Sequence, residues 1–224
     1  STCRVLSLES TPLSQWHLEL FLELPSLGSL ESLNLTGCYI HDEGAQTLAK
    51  CEHLQGLASL HVATNRLTFD GIEALLSGFS ALEEFDLSDS KIKRAGWAQI
   101  LEVLQDRRVR TLRASSTHLN DAHVLALGEV SSIEEIAFLP SDMSLHGIME
   151  LCFSPSFREP ARRSARHHAL AHLKKRELGR ILRAIDETSV LNSRSTRTQL
   201  LHGILAVTHE KERFAKALCT PSYT

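Results

Sequence analysis

The sequence predicts an α/β solenoid: a horseshoe with a parallel inner sheet and convex helices, followed by a helical segment at the C-terminal end. Three observations lead there. Leucine fills 38 of 224 positions while aromatic residues make up only 5%, which points to many small, similar packing sites. An apolar anchor recurs at Leu6, Leu33, Leu60, Phe85, Leu112 and Ile136, with separations of 27, 27, 25, 27 and 24 residues. Charge is also unevenly distributed: residues 1–153 carry a net charge of -11 and residues 154–224 a net charge of +8, within a chain whose total is -3.

Each anchor sits in a phrase of the form LxxLxLxx(N/C/T/S)xL. The phrases run Leu30 to Ile40, Leu57 to Leu67, Leu82 to Ile92, Val109 to Leu119 and Ile133 to Met143, with a shorter first copy from Val5 to Leu13. The central LxL alternates with period two, so it predicts a short strand with one buried face. The ninth position is small or polar (Cys38, Asn65, Ser90, Thr117, Ser141). There the chain turns, and such a side chain can satisfy freed backbone groups.

Helical spacing follows each phrase. The first helix is expected between Leu13 and Leu30, the next over 41–54 with Ala45, Leu48, Ala49 and Leu54 on one side. Others are expected over 68–79 (Ile72, Leu75, Leu76) and 93–104 (Trp97, Ile100, Leu101, Leu104), with weaker copies over 121–128 and 145–152. A strand–turn–helix unit cannot bury its apolar faces alone, so the units must stack. Strands stack about 4.8 Å apart and helices about 10 Å apart, so the helical side becomes convex and the strand side concave.

These phrases resemble leucine-rich repeats of the ribonuclease-inhibitor type. Asp42–Gly44 and Phe69–Gly71, each followed by AxxLA or IxALL, carry the resemblance. The phrase LAKCEHLQGLASLHV also resembles tandem repeats of large bacterial proteins. The likeness covers residues 4–153. It implies a protein-binding scaffold or sensor and supplies no catalytic residue. Ala114, and Phe138 followed by Leu139 and Pro140, depart from the pattern as a terminal repeat does.

Residues 154–224 form the second predicted region. Pro155 and Pro160 mark its boundary. Leu170, Leu173, Leu178, Ile181, Leu182 and Ile185 make an apolar stripe at helical spacing, and a second helix is expected over 198–218. The expected role is a two-helix cap on the last repeat. A second reading takes Arg162, Arg163, Arg166, Lys174, Lys175 and Arg176 as a surface for nucleic acid or an acidic partner. No recognition helix, finger spacing or stacking aromatic accompanies them.

The alternation places Asn34, His61, Glu84, Asp86, Asp89, Arg113 and Glu135 on the concave face as candidate protein-binding residues. Ser59, Ala63 and Leu139 are expected beside them. Glu84, Asp86 and Asp89 read as an acidic cluster that favours a basic partner. Twelve histidines give no HExxH; His168 and His172 are one turn apart without a third ligand, and His123 reads as a surface or turn residue. No metal, cofactor or catalytic set is expected, and no Gly-rich phosphate loop occurs. Five cysteines without a CxxC pair argue for structural thiols in a reducing, cytoplasmic setting. No uncharged stretch approaches membrane-spanning length, so no membrane partner is expected. The function expected is non-catalytic binding of a protein partner, in isolation or as a module of a larger multidomain chain.

Overall fold

The computed structural model describes residues 3–138 together with Met143, Ser144, Gly147, Leu170, Leu173, Leu178 and Ile181. Over residues 3–138, six three-residue strands alternate with five helices. The strands are β1 (Val5–Ser7), β2 (Ser32–Asn34), β3 (Ser59–His61), β4 (Glu84–Asp86), β5 (Thr111–Arg113) and β6 (Glu135–Ala137). The helices are α1 (Gln15–Leu22), α2 (Asp42–Ala49), α3 (Phe69–Gly78), α4 (Arg94–Gln105) and α5 (Asp121–Glu129). The strands form one parallel sheet in sequence order. Its register aligns Leu6, Leu33, Leu60, Phe85, Leu112 and Ile136, the six anchors read from the sequence. From Leu33 to Ile136 all five are fully buried.

Between strand and helix the chain turns in the same way in each repeat. Ser10, Gly37, Thr64, Asp89 and Ser116, at equivalent positions, all have φ between 56° and 68°. Only Gly37 adopts that left-handed conformation without a side-chain clash. The next residue closes the turn from inside. Buried Asn65 donates to the carbonyls of Leu35 (2.8 Å), Val62 (2.9 Å) and Ala63 (3.3 Å), and the Ile40 N–H donates to its Oδ1 at 2.9 Å. One side chain thus ties two repeats together. Cys38 donates to the Leu8 carbonyl at 3.0 Å, and Thr117 donates to the Ala114 carbonyl. Trp97 adds a bond from its indole N–H to the Thr117 carbonyl at 2.7 Å. Ser90 Oγ is buried with no hydrogen-bond partner among the described residues.

Helices α2 and α3 are joined at their N-termini. Asp42, the first residue of α2, accepts from the N–H (2.8 Å) and hydroxyl (2.6 Å) of Thr68, the residue at the N-cap position of α3. The carboxylate therefore satisfies a helix end one repeat away. Gly71 makes this contact possible. A Cβ there would overlap Asp42 Oδ1 and come within 3.1 Å of Asp42 Cα.

Four expectations need correction. The first helix ends at Leu22, because Pro25 disfavours helical backbone at Leu24 and Pro25–Ser29 form a separate 3-10 turn. The helix expected over 41–54 is likewise α2 to Ala49 and a short 3-10 turn, Glu52–Leu54. Ala63 is buried, not exposed on the concave face. His123 is half-buried, with its ring 6.3 Å from that of Trp97. Its Nδ1 accepts from the Asn120 N–H (3.4 Å) while Asn120 Oδ1 accepts from the His123 N–H (3.0 Å), a reciprocal cap on α5.

At the far end, Leu170, Leu178 and Ile181 are helical, and they and Leu173 are buried in the same apolar cluster as the repeats. The rest of 154–224 lies outside the described residues, including Arg162, Arg163, Arg166, Lys174, Lys175 and Arg176. So do Leu139, Ser141, the His168–His172 pair and the helix expected over 145–152, apart from Gly147.

Two tests follow from these contacts. Gly71→Ala should destabilise the protein by about 1–2 kcal/mol in urea unfolding, because overpacking outweighs the roughly 1 kcal/mol helix-propensity gain. Gly56→Ala, with nothing within 4 Å, should stay within about 0.5 kcal/mol of the parent. Burial, and then the Arg94 charge, lower the His123 pKa, so the unfolded chain takes up that proton more readily. Stability should fall as pH drops below 6.5, the ordinary histidine value. His123→Gln keeps an acceptor at the capping-box position and should flatten that part of the stability–pH curve.

Candidate functional site

The concave strand face is assembled by period two. On each strand the central residue points into the core and its two neighbours point outward. Parallel register then sets outward residues of successive strands in rows: Ser59, Glu84 and Thr111 in one, and Asn34, His61, Asp86 and Arg113 in the other.

A connected polar network results over β3, β4 and β5. Ser59 Oγ lies 3.2 Å from His61 Nε2 and donates to Glu84 Oε2 at 3.1 Å. His61 sits between two carboxylates, with Nε2 3.8 Å from Glu84 Oε1 and Nδ1 3.7 Å from Asp86 Oδ2. Arg113 reaches across from β5 and pairs with Glu84 Oε1. The Ser88 N–H donates to Asp86 Oδ1 at 3.0 Å. Burial pushes the Glu84 carboxyl upward, but Arg113, Ser59 and His61 together hold it below its ordinary value. Asp86 behaves the same way: burial raises it, while His61 and the Ser88 N–H bring it lower on balance.

Asp89 does not join this network. It occupies the left-handed turn position beyond β4 and accepts from Thr64 Oγ1 at 3.3 Å. The acidic cluster expected from sequence is therefore a pair, Glu84 and Asp86, flanked by His61 and Arg113. Asn34 lies to one side, where its Nδ2 donates to Glu9 Oε2 at 3.3 Å and its Oδ1 accepts from the Thr36 N–H at 2.9 Å. Glu135 stands exposed on β6. The seven candidates thus spread over strands β2 to β6 and one turn. Alternation along β3 exposes Ser59, but its place as a link in the network comes from the His61 and Glu84 geometry.

Ser59, His61 and Asp86 fall in the order of a nucleophile, a base and an orienting carboxylate. The Ser59 hydroxyl donates to Glu84, and the Ser59 N–H donates to the Glu31 carbonyl at 2.9 Å in the sheet ladder. The geometry sets two carboxylates with lowered pKa values side by side on the outward face.

At the strand-entry rim, Arg4 pairs with Glu31 at 3.0 Å, and exposed Arg110 lies between Glu83 (4.0 Å) and Glu134 (2.9 Å). Two grooves lie between α1 and α2, one lined by Gln15, Leu18, Ile40 and Glu43 and the other by Glu19, Thr47, Lys50 and Cys51. Among the described residues no group of three or more His, Cys, Asp or Glu side chains has the geometry to hold a metal ion.

The two carboxylates should respond to different substitutions. Arg113→Ala should raise the Glu84 pKa more than that of Asp86, and His61→Ala the reverse, as read by carboxyl NMR titration. Because both values are lowered by folding, their stabilising effect is present above the unfolded carboxylate range and is lost as pH falls through the folded values. Each variant should therefore lose less stability on acidification than the parent.

A Leucine Rich repeat family model matches residues 29–49, which span β2, its turn and α2. No curated protein matches the chain. Among solved structures, a chain in "Crystal structure of TLR13-ssRNA13 complex" is 17% identical, with a TM-score of 0.37. The alignment covers 61% of this chain and 22% of that one, so this chain spans about a fifth of its length. The sequential parallel sheet, the repeated turn and the matched unit make the described chain an α/β leucine-rich-repeat solenoid.

Proposed function

We propose that the protein is a non-catalytic binding module of the ribonuclease-inhibitor-like subtype, and that it takes a protein partner with a basic surface on its concave face. The observation that carries this reading is the Glu84–Asp86 pair, kept ionised by His61 and Arg113 on adjacent strands. Asn34, Asp89 and Glu135 extend the same surface. Charges fixed on a sheet need little reordering on binding, so they favour a complementary cation at low entropic cost. The full helices on the convex side support the subtype.

We further propose that the C-terminal region closes the last repeat. Burial of Leu170, Leu173, Leu178 and Ile181 with the repeat core supports this, since a solenoid end must be shielded from water. Among the described residues no helix is long and apolar enough to cross a membrane.

A photo-crosslinking amino acid placed at Asn34, Asp86 or Glu135 should capture the partner, while the same residue at Glu73 or Glu102 on the convex helices should not. Capture should weaken as salt rises, as expected for partly exposed charge pairs. Equal capture from both faces, or capture from the convex helices alone, contradicts the concave assignment.

A further inference from the structure

Among the described residues, the N-terminal end of the solenoid is open in both layers. β1 is the edge of the sheet and pairs only with β2. The Arg4 carbonyl and Leu8 N–H are turned toward β2, at 3.0 Å from Ser32 N and 2.8 Å from Asn34 O respectively. Alternation along a parallel strand then turns the N–H groups of Val5 and Ser7 to the free edge. Apolar side chains are open at the same end: Val5 is 68% exposed, Trp16 64%, Leu20 52% and Leu24 48%. Leu6, Leu8, Leu13 and Phe21 are only partly buried, whereas Leu33, Leu35, Ile40 and Leu48, their equivalents in the next repeat, are buried.

The repeat itself indicates what these positions meet. Trp16, Leu20 and Leu24 are the equivalents, one repeat earlier, of Glu43, Thr47 and Cys51. All three of those later residues are turned toward α1. Gln15 Nε2 donates to Thr47 Oγ1 at 3.0 Å, Cys51 Sγ donates to the Leu22 carbonyl at 3.6 Å, and Glu43 lines a groove with Ser14, Gln15 and Leu18. In α2 this face packs on the preceding helix. In α1 the same face carries Trp and Leu and is uncovered. Apolar residues therefore cover a second side of α1 besides the one that faces the core, leaving a polar strip of Gln15 and Glu19.

We propose that this end is an interface for one more strand–turn–helix unit, supplied by residues preceding Leu6 in the full-length polypeptide and stacked in parallel register on β1 and α1. Such a unit closes both layers at once and continues the interface that the five strand pairs already make. A lone helix or a lipid surface covers the Trp16–Leu20–Leu24 stripe and leaves the Val5 and Ser7 amides unpaired. A second copy related by a two-fold axis sets β1 antiparallel to its mate and breaks the register. The inference is independent of what the concave face binds.

The test compares the 224-residue chain with the same polypeptide extended by its natural preceding sequence, each with and without Leu20→Glu. In the extended form an apolar anchor should precede Leu6 by the same spacing that separates the anchors of the repeats themselves. Amide exchange at Val5 and Ser7 should slow by roughly tenfold or more. Leu20→Glu should lower the melting temperature of the extended form and leave the shorter chain nearly unchanged. Absence of such an anchor, equal exchange in the two forms, or an equal response to Leu20→Glu overturns the proposal. So does a dimer of the shorter chain that Leu20→Glu dissolves, which assigns the face to a second copy.

Discussion

Everything in this molecule depends on the register of its parallel strands. A three-residue strand has no stability alone, and helices as short as these have little in water. Each repeat becomes stable only when its central apolar side chain stacks between those of its neighbours. The alignment of Leu33, Leu60, Phe85, Leu112 and Ile136 is thus both core and topology. A slip of one residue would turn Glu84 and Asp86 into the core and Phe85 onto the surface.

That same constraint builds the candidate binding face. Glu84, Asp86, His61 and Arg113 come from three strands, each a full repeat from the next in sequence, and nothing local brings them together. The sheet does so because outward positions of neighbouring strands must lie side by side. The inter-repeat bonds of Asn65 and the Asp42–Thr68 cap act on the same geometry from the turn and helix layers. Stiffness of the concave surface is therefore a consequence of stacking rather than of any feature within one repeat.

Much of this was legible in the sequence. The anchors, the period, the strand–helix alternation and the outward positions all follow from apolar spacing, which local packing enforces. What escaped were features that depend on a partner in another repeat. Asp89 lies near Asp86 in sequence, but the left-handed turn carries it away to Thr64. Ala63 sits at an outward-alternating position yet is buried past the strand end, where the alternation no longer applies. His123 reads as a surface residue because nothing local places its ring near Trp97, which belongs to the preceding helix. The purpose of Gly71 was equally hidden, since the atom that excludes a side chain there belongs to Asp42.

The most direct measurement of the central claim is the set of cross-strand backbone NOEs in solution. Continuous in-register contacts linking Leu33, Leu60, Phe85 and Leu112, each flanked by extended-backbone chemical shifts, are the result predicted. Helical shifts over 59–61 or 84–86, or contacts displaced by one residue between β3 and β4, would contradict the account and remove the concave face with it.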